Sequence, residues 1–265
     1  MGERTILDEI ADFTKGRVEK YKSEVSLQDI KARARSLDPD TGFTFENALR
    51  RDGISFICEV KKASPSKGVI DPDFDYLKIA KEYEAGGADA VSCLTEPKWF
   101  LGSNEIFVNT RKTIALPMLR KDFVVDEYQI YQAKLLGANC ILLIVSLLNK
   151  ETLEKYINLA KSLGLSALVE THDEEEIKTA LSAGAKILGV NNRNLKDFSV
   201  DLNNAKRLRE LIPENVIYVA ESGIASLSDA KMLKEAGADA LLIGEFLMRS
   251  DDKALLIKKI KGAAK

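Results

Sequence analysis

AGGADAV (85–91), LGANCIL (136–142), AGAKILG (183–189) and AGADALL (236–242) are four variants of one phrase, and the fold is read from them. In each, a helical pattern runs into Gly-Ala and then into an apolar run. A glycine that can take positive φ ends the helix, and a short turn leads into a buried strand. Four copies spread over most of the chain mark one βα unit used repeatedly.

Working outward from these copies, apolar runs of strand length fall at 54–60, 90–94, 117–122, 140–145, 166–171, 186–191, 217–222 and 240–245. They are rich in Val, Ile, Leu and Cys rather than strictly alternating, as parallel strands covered by helices are. Segments such as DYLKIAKEYEAG and ETLEKYINLAKSLG lie between them, with apolar residues at helical spacing. Strands alternating with helices in this way predict an α/β fold, a single (β/α)8 TIM barrel, for residues 49–265. No Gly-x-Gly-x-x-Gly turn follows the first strand, which disfavours a doubly wound sheet. Residues 1–48 stand outside the alternation and predict an N-terminal helical extension packed on the barrel. Ile6, Ile10, Phe13 and Tyr21 mark one amphipathic helix and Leu27, Ile30, Ala34 and Leu37 a second. The turn-forming stretch Asp38 to Gly42 ends it.

With 39 Lys+Arg against 41 Asp+Glu in 265 residues, the net charge of −2 disfavours a nucleic-acid partner, which demands a concentrated basic surface. No apolar run approaches the roughly 20 residues of a membrane span. The acidic, amphipathic start MGERTILDEI is not expected to be a signal peptide. Cys58, Cys93 and Cys140 sit in apolar runs without Cys-x-x-Cys spacing, so buried thiols in a reducing cytoplasm are expected. The chain holds one histidine, His172, which leaves no material for a His-based metal site.

The polar residues at the ends of the apolar runs carry the functional signal, because barrel active sites lie at the C-terminal ends of the strands. Run one ends Glu59-Val60-Lys61, with both charges on the same side by alternation. Run three ends Lys121-Asp122, run five reaches Glu170 and then His172, and run six reaches Asn191 and then Arg193. Run seven ends Glu221-Ser222-Gly223 and run eight Gly244-Glu245. Any one of these charges is compatible with a salt bridge at the barrel mouth. Several at one face are costly to bury and point to a site. The glycine turns after runs seven and eight, with the Ser64–Gly68 loop after run one, suit a phosphorylated small molecule.

At these residues the sequence resembles the indole-3-glycerol phosphate synthase family of tryptophan biosynthesis. The matching segments include EVKKASPSKG (59–68), SCLTEPKWFLGS (92–103), LRKDFVVDEYQIYQAKLLGA (119–138), LVETHDEEE (168–176), GVNNRNLKDFSVDL (189–202), VAESGI (219–224) and LIGEFLMR (242–249), in order through the barrel. The resemblance implies a carbon-carbon lyase that converts 1-(o-carboxyphenylamino)-1-deoxyribulose 5-phosphate to indole-3-glycerol phosphate, carbon dioxide and water. It implies no cofactor, no metal, and a cytoplasmic monomer.

Carried over by residue, the resemblance implies that Lys121 is the general acid and that Glu170 and Glu59 are acid-base carboxylates. It gives the substrate carboxylate to Lys61, and positioning to Asn191 and Glu221. Arg193 and Ser64 join the binding site, Phe100 and Phe123 wall the aromatic ring, and Ser222, Gly223 and Gly244 cradle the phosphate. Ala63 stands where some relatives carry lysine, and Glu245 is expected to turn outward. His172 and Trp99 are expected to be structural, and the extension is given no substrate contact. Two other readings of the polar strand ends stay open. One is another phosphate-binding barrel enzyme, a phosphoribosyl isomerase or Schiff-base aldolase; the other is a non-catalytic ligand-binding barrel.

Overall fold

The computed structural model describes residues 5–51, 53–194 and 198–264. Parallel strands β1 (Ser55–Val60), β2 (Ala90–Leu94), β3 (Met118–Lys121), β4 (Cys140–Ile144), β5 (Ser166–Thr171), β6 (Ile187–Asn191), β7 (Ile217–Glu221) and β8 (Ala240–Ile243) form a closed barrel. Each strand pairs with its neighbours in sequence, and β8 closes on β1 from Ser55↔Ala240 to Cys58↔Ile243. Helices α1 (Ile6–Glu24), α2 (Leu27–Arg35) and α3 (Thr44–Leu49) precede the barrel. The outer layer is α4 (Tyr76–Gly86), α5 (Asn104–Thr113), α6 (Glu127–Leu135), α7 (Lys150–Ser162), α8 (Glu174–Ser182), α9 (Asn203–Arg209), α10 (Leu227–Glu235), the short α11 (Glu245–Met248) and α12 (Lys253–Ala263). No described helix is long and apolar enough to cross a membrane.

The repeated phrase works through both its glycine and the residue two places later. Gly87, Gly137, Gly184 and Gly237 all have φ between 82 and 89°, where a side chain would be strained. Asp89, Asn139 and Asp239 then accept the backbone N–H of Phe56, Met118 and Tyr218 at 2.7–2.9 Å. Each stitches its turn to the strand before it. Gly164, with φ 72°, closes α7 in the same way, but its different following residues hid it from the repeat.

Alternation along the strands divides the core in two. Ile57, Ala90, Leu119, Leu142, Leu168, Ile187, Val219 and Leu242 fill the barrel interior together with Phe45 and Leu49 of α3. Phe56, Cys58, Met118, Val169 and Tyr218 face the helical layer. The three cysteines are buried and unpaired, and burial, aided by Glu59 and opposed by Thr110, pushes Cys93 up to about 12.

Several local expectations are corrected. The inward face of α1 is Leu7, Ile10, Ala11, Thr14 and Val18. Phe13 is instead 38% exposed and packs edge-on against Trp99, 5.5 Å between centroids. Leu37 lies beyond α2 and is exposed. Residues 44–49 continue as a third helix across the expected division at 48/49. The apolar runs at 217–222 and 240–245 stop short, because Ser222 turns to φ 66° and Glu245 opens α11. Residues 195–197 of the GVNNRNLKDFSVDL segment and residues 1–4 lie outside the described residues.

Candidate active site

The C-terminal ends of the strands open into a cavity of about 600 Å³. Glu59, Lys61, Lys121, Glu170, Asn191 and Glu221 all line it. So do Ser64, Phe100, Phe123, Arg193, Ser222, Gly223 and Gly244. The placement follows from strand parity. Glu59 follows inward Ile57, Lys121 follows Leu119, Glu170 follows Leu168, and Glu221 follows Val219. Packing at those inward positions thus aims each charged side chain at the mouth.

Lys121 is the hub. Its Nζ lies 2.6 Å from Glu221 Oε2 and 3.3 Å from Glu170 Oε2. Asn191 Nδ2 donates to the other oxygen, Glu170 Oε1, at 3.0 Å. Asn191 Oδ1 in turn accepts the Arg193 backbone N–H at 3.0 Å. Glu59 and Lys61 form a second ion pair across the same space. Two glycines leave room for these groups. A Cβ on Gly189 would overlap Glu221 Oε1, and one on Gly244 would overlap Glu59 Oε1 and crowd Lys61 Nζ. A side chain at Gly244 would therefore displace the Glu59–Lys61 pair.

These contacts fix the ionisation of the cluster. Burial disfavours the Lys121 ammonium, but Glu221, Glu170 and Glu59 outweigh it and raise its pKa above the ordinary lysine value. Such a lysine is an acid or a cation clamp, and a poor Schiff-base nucleophile. The two carboxylates are driven apart. Burial would raise Glu170, yet Lys121, His172 and Asn191 bring it below its ordinary value. Glu221 is pushed up to about 7 by burial, against the pull of Lys121 and with the repulsion of Glu170 and Glu59. Its Oε1 is buried without a partner. Unlike ionisation of neighbouring carboxyls is the arrangement that acid-base chemistry uses.

The rim is built from loops. The Arg193 guanidinium donates to the Phe198 carbonyl at 3.1 Å and so ties Phe198 to the end of β6. Ser222 and Gly223 have φ 66° and 83°, and a Cβ on Gly223 would overlap Val200. Non-glycine residues held at positive φ concentrate at functional sites. Phe100 and Phe123 face each other with centroids 5.9 Å apart. Fully buried Glu96 fixes the first of them, accepting the N–H groups of Lys98, Trp99 and Phe100 at 2.7–3.0 Å.

Two expectations about the rim are revised. Glu245 does not simply turn outward: it lines the cavity, with its carboxylate 2.9 Å from Arg249 Nε and 3.9 Å from Lys67 Nζ. Those cations offset its charge. The extension, given no contact from sequence, supplies Ile6, Leu7 and Ile10 as an apolar wall. Ile6 and Ile10 were visible as helix-periodic residues, but nothing local says which surface an amphipathic helix covers. Arg249 and Phe198 were also missed, since neither ends an apolar run.

Comparison with known proteins adds an independent finding. Residues 7–260 match the family model of indole-3-glycerol phosphate synthase. The indole-3-glycerol phosphate synthase of Ruminiclostridium cellulolyticum is 53% identical over 259 residues, covering 98% of this chain and 100% of its own length. That of Lachnoclostridium phytofermentans is 48% identical over 267 residues, covering 97% and 98%. A solved thiamine phosphate pyrophosphorylase from Pyrococcus furiosus superposes with a TM-score of 0.62 at 17% identity, over 83% of this chain and 97% of its own, and shows the shared fold.

Proposed function

The chain belongs to the indole-3-glycerol phosphate synthase family, and from that premise we propose how its residues divide the work. The reaction closes a ring on 1-(o-carboxyphenylamino)-1-deoxyribulose 5-phosphate, then releases carbon dioxide and water to leave indole-3-glycerol phosphate. One observation carries the reading: a buried ammonium, Lys121, held between carboxylates of unlike ionisation at the floor of the cavity.

In the first step the ring carbon bearing the carboxylate attacks the ketone, and the carbonyl oxygen gains negative charge. The Lys121 ammonium stabilises that charge and delivers its proton to the oxygen. Glu221 and Glu170 hold Nζ in place, and Glu170 relays a proton back to it. Lys61 pairs with the substrate carboxylate until carbon dioxide leaves and its bonding electrons restore the ring system. Dehydration then needs a proton at the departing hydroxyl and a base for the ring proton. Glu59, beside Lys61, serves at this stage. Asn191 orients Glu170 and a substrate hydroxyl.

Binding supplies the bend that ring closure needs. The Ser222–Gly223 and Gly244 turns receive the phosphate, with Ser64 and Arg193 along the rim. Phe100 and Phe123 wall the anthranilate ring, together with Ile6, Leu7 and Ile10. The extension thus belongs to the same catalytic unit as the barrel. Three unpaired buried thiols support a cytoplasmic setting, and a monomer suffices because each of these groups comes from one chain.

The test adds substrate to purified protein with chelator present and follows indole fluorescence. Lys121→Ala is expected to lower kcat by about 10²–10⁴-fold, the range of a general acid, and Glu170→Gln by a comparable factor. Turnover within tenfold of wild type in Lys121→Ala would remove the lysine from the chemistry.

A further inference from the structure

His172 lies two residues beyond Glu170, at the end of β5, and is the only histidine in the chain. One oxygen of Glu176, on α8, holds it twice. Glu176 Oε2 lies 3.0 Å from Nδ1 and accepts the His172 backbone N–H at 2.8 Å. Glu176 is itself fixed in the first turn of α8, where its own N–H donates to the N-cap Asp173 at 2.9 Å. The carboxylate assigns a proton to Nδ1. The other nitrogen, Nε2, is buried, has no hydrogen-bond partner, and lies 3.6 Å from Glu170 Oε1. Glu170 is therefore approached from two sides, by Lys121 on Oε2 and by His172 and Asn191 on Oε1.

We propose that His172 is a positioning residue for this reaction: anchored by Glu176, its imidazolium holds Glu170 as a carboxylate and keeps Oε2 turned to Lys121. A histidine that only tied β5 to α8 would be served by Glu176 alone, with no need of a second nitrogen aimed into the cluster. The charged groups facing the ring are Glu176 on α8, Glu170 on β5 and Glu221 on β7. Asn204 of α9 donates to the His172 carbonyl at 3.1 Å. Burial works against the imidazolium, but the three carboxylates prevail and raise its pKa above the ordinary value. The inference rests on Glu170 being the carboxylate that relays the proton.

A single imidazole makes the test clean, because its ¹⁵N signals need no assignment. In a pH titration followed by NMR, the His172 pKa is expected to fall by about half a unit or more in Glu176→Gln and again in Glu170→Gln, since each removes a facing negative charge. In His172→Gln, Glu170 loses a neighbouring cation, so the acid limb of kcat moves to higher pH. A shift of about one unit lowers kcat on that limb about tenfold and leaves kcat near pH 8 within about twofold. KM should change little, because the proposed phosphate and ring contacts are untouched.

An imidazole titration unaltered by Glu170→Gln overturns the proposal. So does a His172→Gln enzyme whose kcat falls equally at every pH. If His172→Gln fails to fold, the NMR comparison of wild type with Glu170→Gln and Glu176→Gln decides alone. Full turnover in Glu170→Gln with a shifted His172 titration would leave the electrostatic coupling in place and remove the proposed role of Glu170.

Discussion

Three consecutive charged residues, Arg120, Lys121 and Asp122, lie at the end of β3 and belong to two unlike assemblies. Alternation sends Lys121 into the cavity, and Arg120 and Asp122 to the side of the helices. On that outer side the bonding is nearly saturated. Asp122 accepts from Arg17 of α1 at 2.6 Å, the Phe123 N–H at 2.9 Å, Thr95 at 2.7 Å and Arg120 at 3.3 Å. Arg120 also reaches Asn104, Gln132 and the Gln129 carbonyl at 2.6–3.0 Å. On the inner side Glu221 Oε1 is buried without a partner, and Lys121 faces an open cavity. Both assemblies are buried and charged. What separates them is spare hydrogen-bonding capacity on the carboxylates. Asp122 is fully engaged and ties α1 to β3, with Arg17 Nε left unpartnered in the outer assembly, whereas Glu221 on the inner side keeps a free oxygen beside a cavity that can take a ligand.

Lys121 and Asp122 allow the largest break of that comparison. Lys121→Ala, which carries the loss of turnover given above, also strands Glu170 and Glu221. These border the open cavity, where water or a proton can compensate them, so it should cost less stability than loss of the outer anion. Asp122→Asn is expected to do the reverse. It leaves two buried guanidinium groups without their anion, which costs about 3–5 kcal/mol of stability. Asp122 borders the cavity, but its carboxylate is taken up by Arg17, Arg120 and Thr95, so the fraction that remains folded should retain kcat within about fivefold. Urea unfolding and activity measured on the same samples check both. If Asp122→Asn stays as stable as wild type and loses turnover like Lys121→Ala, the division into clamp and reacting cluster fails.

The inner cluster was more legible in the sequence than the outer one, and the reason is geometric. Glu59, Lys121, Glu170 and Glu221 each follow an apolar run by parity, so once the barrel is recognised their common destination follows from local pattern alone. Asp122 was visible beside Lys121, but its partner Arg17 lies 105 positions away on a helix whose docking surface no local pattern specifies. The wall made by Ile6, Leu7 and Ile10 was hidden for the same reason. Helix α3 escaped notice because its six residues are too few to show a period. Of the four-residue α11 only Glu245 falls in the apolar run before it, and a short helix is expected to follow that run.

The two assemblies should also respond to pH with opposite sign. Burial would raise Asp122, but Arg17 and Arg120 bring its pKa below the ordinary carboxylate range in the folded chain. Its contribution is complete above that ordinary range and disappears as pH falls through the depressed folded value. Glu221 is pushed up to about 7 in the folded state. Between its ordinary pKa and 7, the folded chain keeps a proton that the unfolded chain has released, so stability falls as pH rises through this window. Unfolding midpoints of wild type should therefore decline from about pH 5 to pH 7, a smaller effect than the loss in Asp122→Asn. In Glu221→Gln that decline should shrink to the part that His172, whose folded pKa is also raised, contributes near the top of the window, while the loss of stability in stronger acid remains. An unchanged decline in Glu221→Gln would assign it to another group.

The smallest expected effect tests whether distance alone could have drawn the distinction. Arg207 and Glu174 pair at 2.5 Å, as closely as Arg17 and Asp122 at 2.6 Å. The first pair is more than half exposed on both sides, and the second is under a tenth exposed. In water the attraction is screened, and holding two long side chains together costs entropy, so an exposed pair contributes less than about 1 kcal/mol. Removing one partner of a buried pair instead strands the other charge, at about 3–5 kcal/mol. Arg207→Ala should thus move Tm by no more than about 2 °C and leave kcat unchanged, whereas Arg17→Ala should lower stability several times as much. Thermal melts of the two variants side by side measure the contrast. Equal losses would mean that burial is not what gives the clamp its strength, and that the saturation of Asp122 reflects proximity alone.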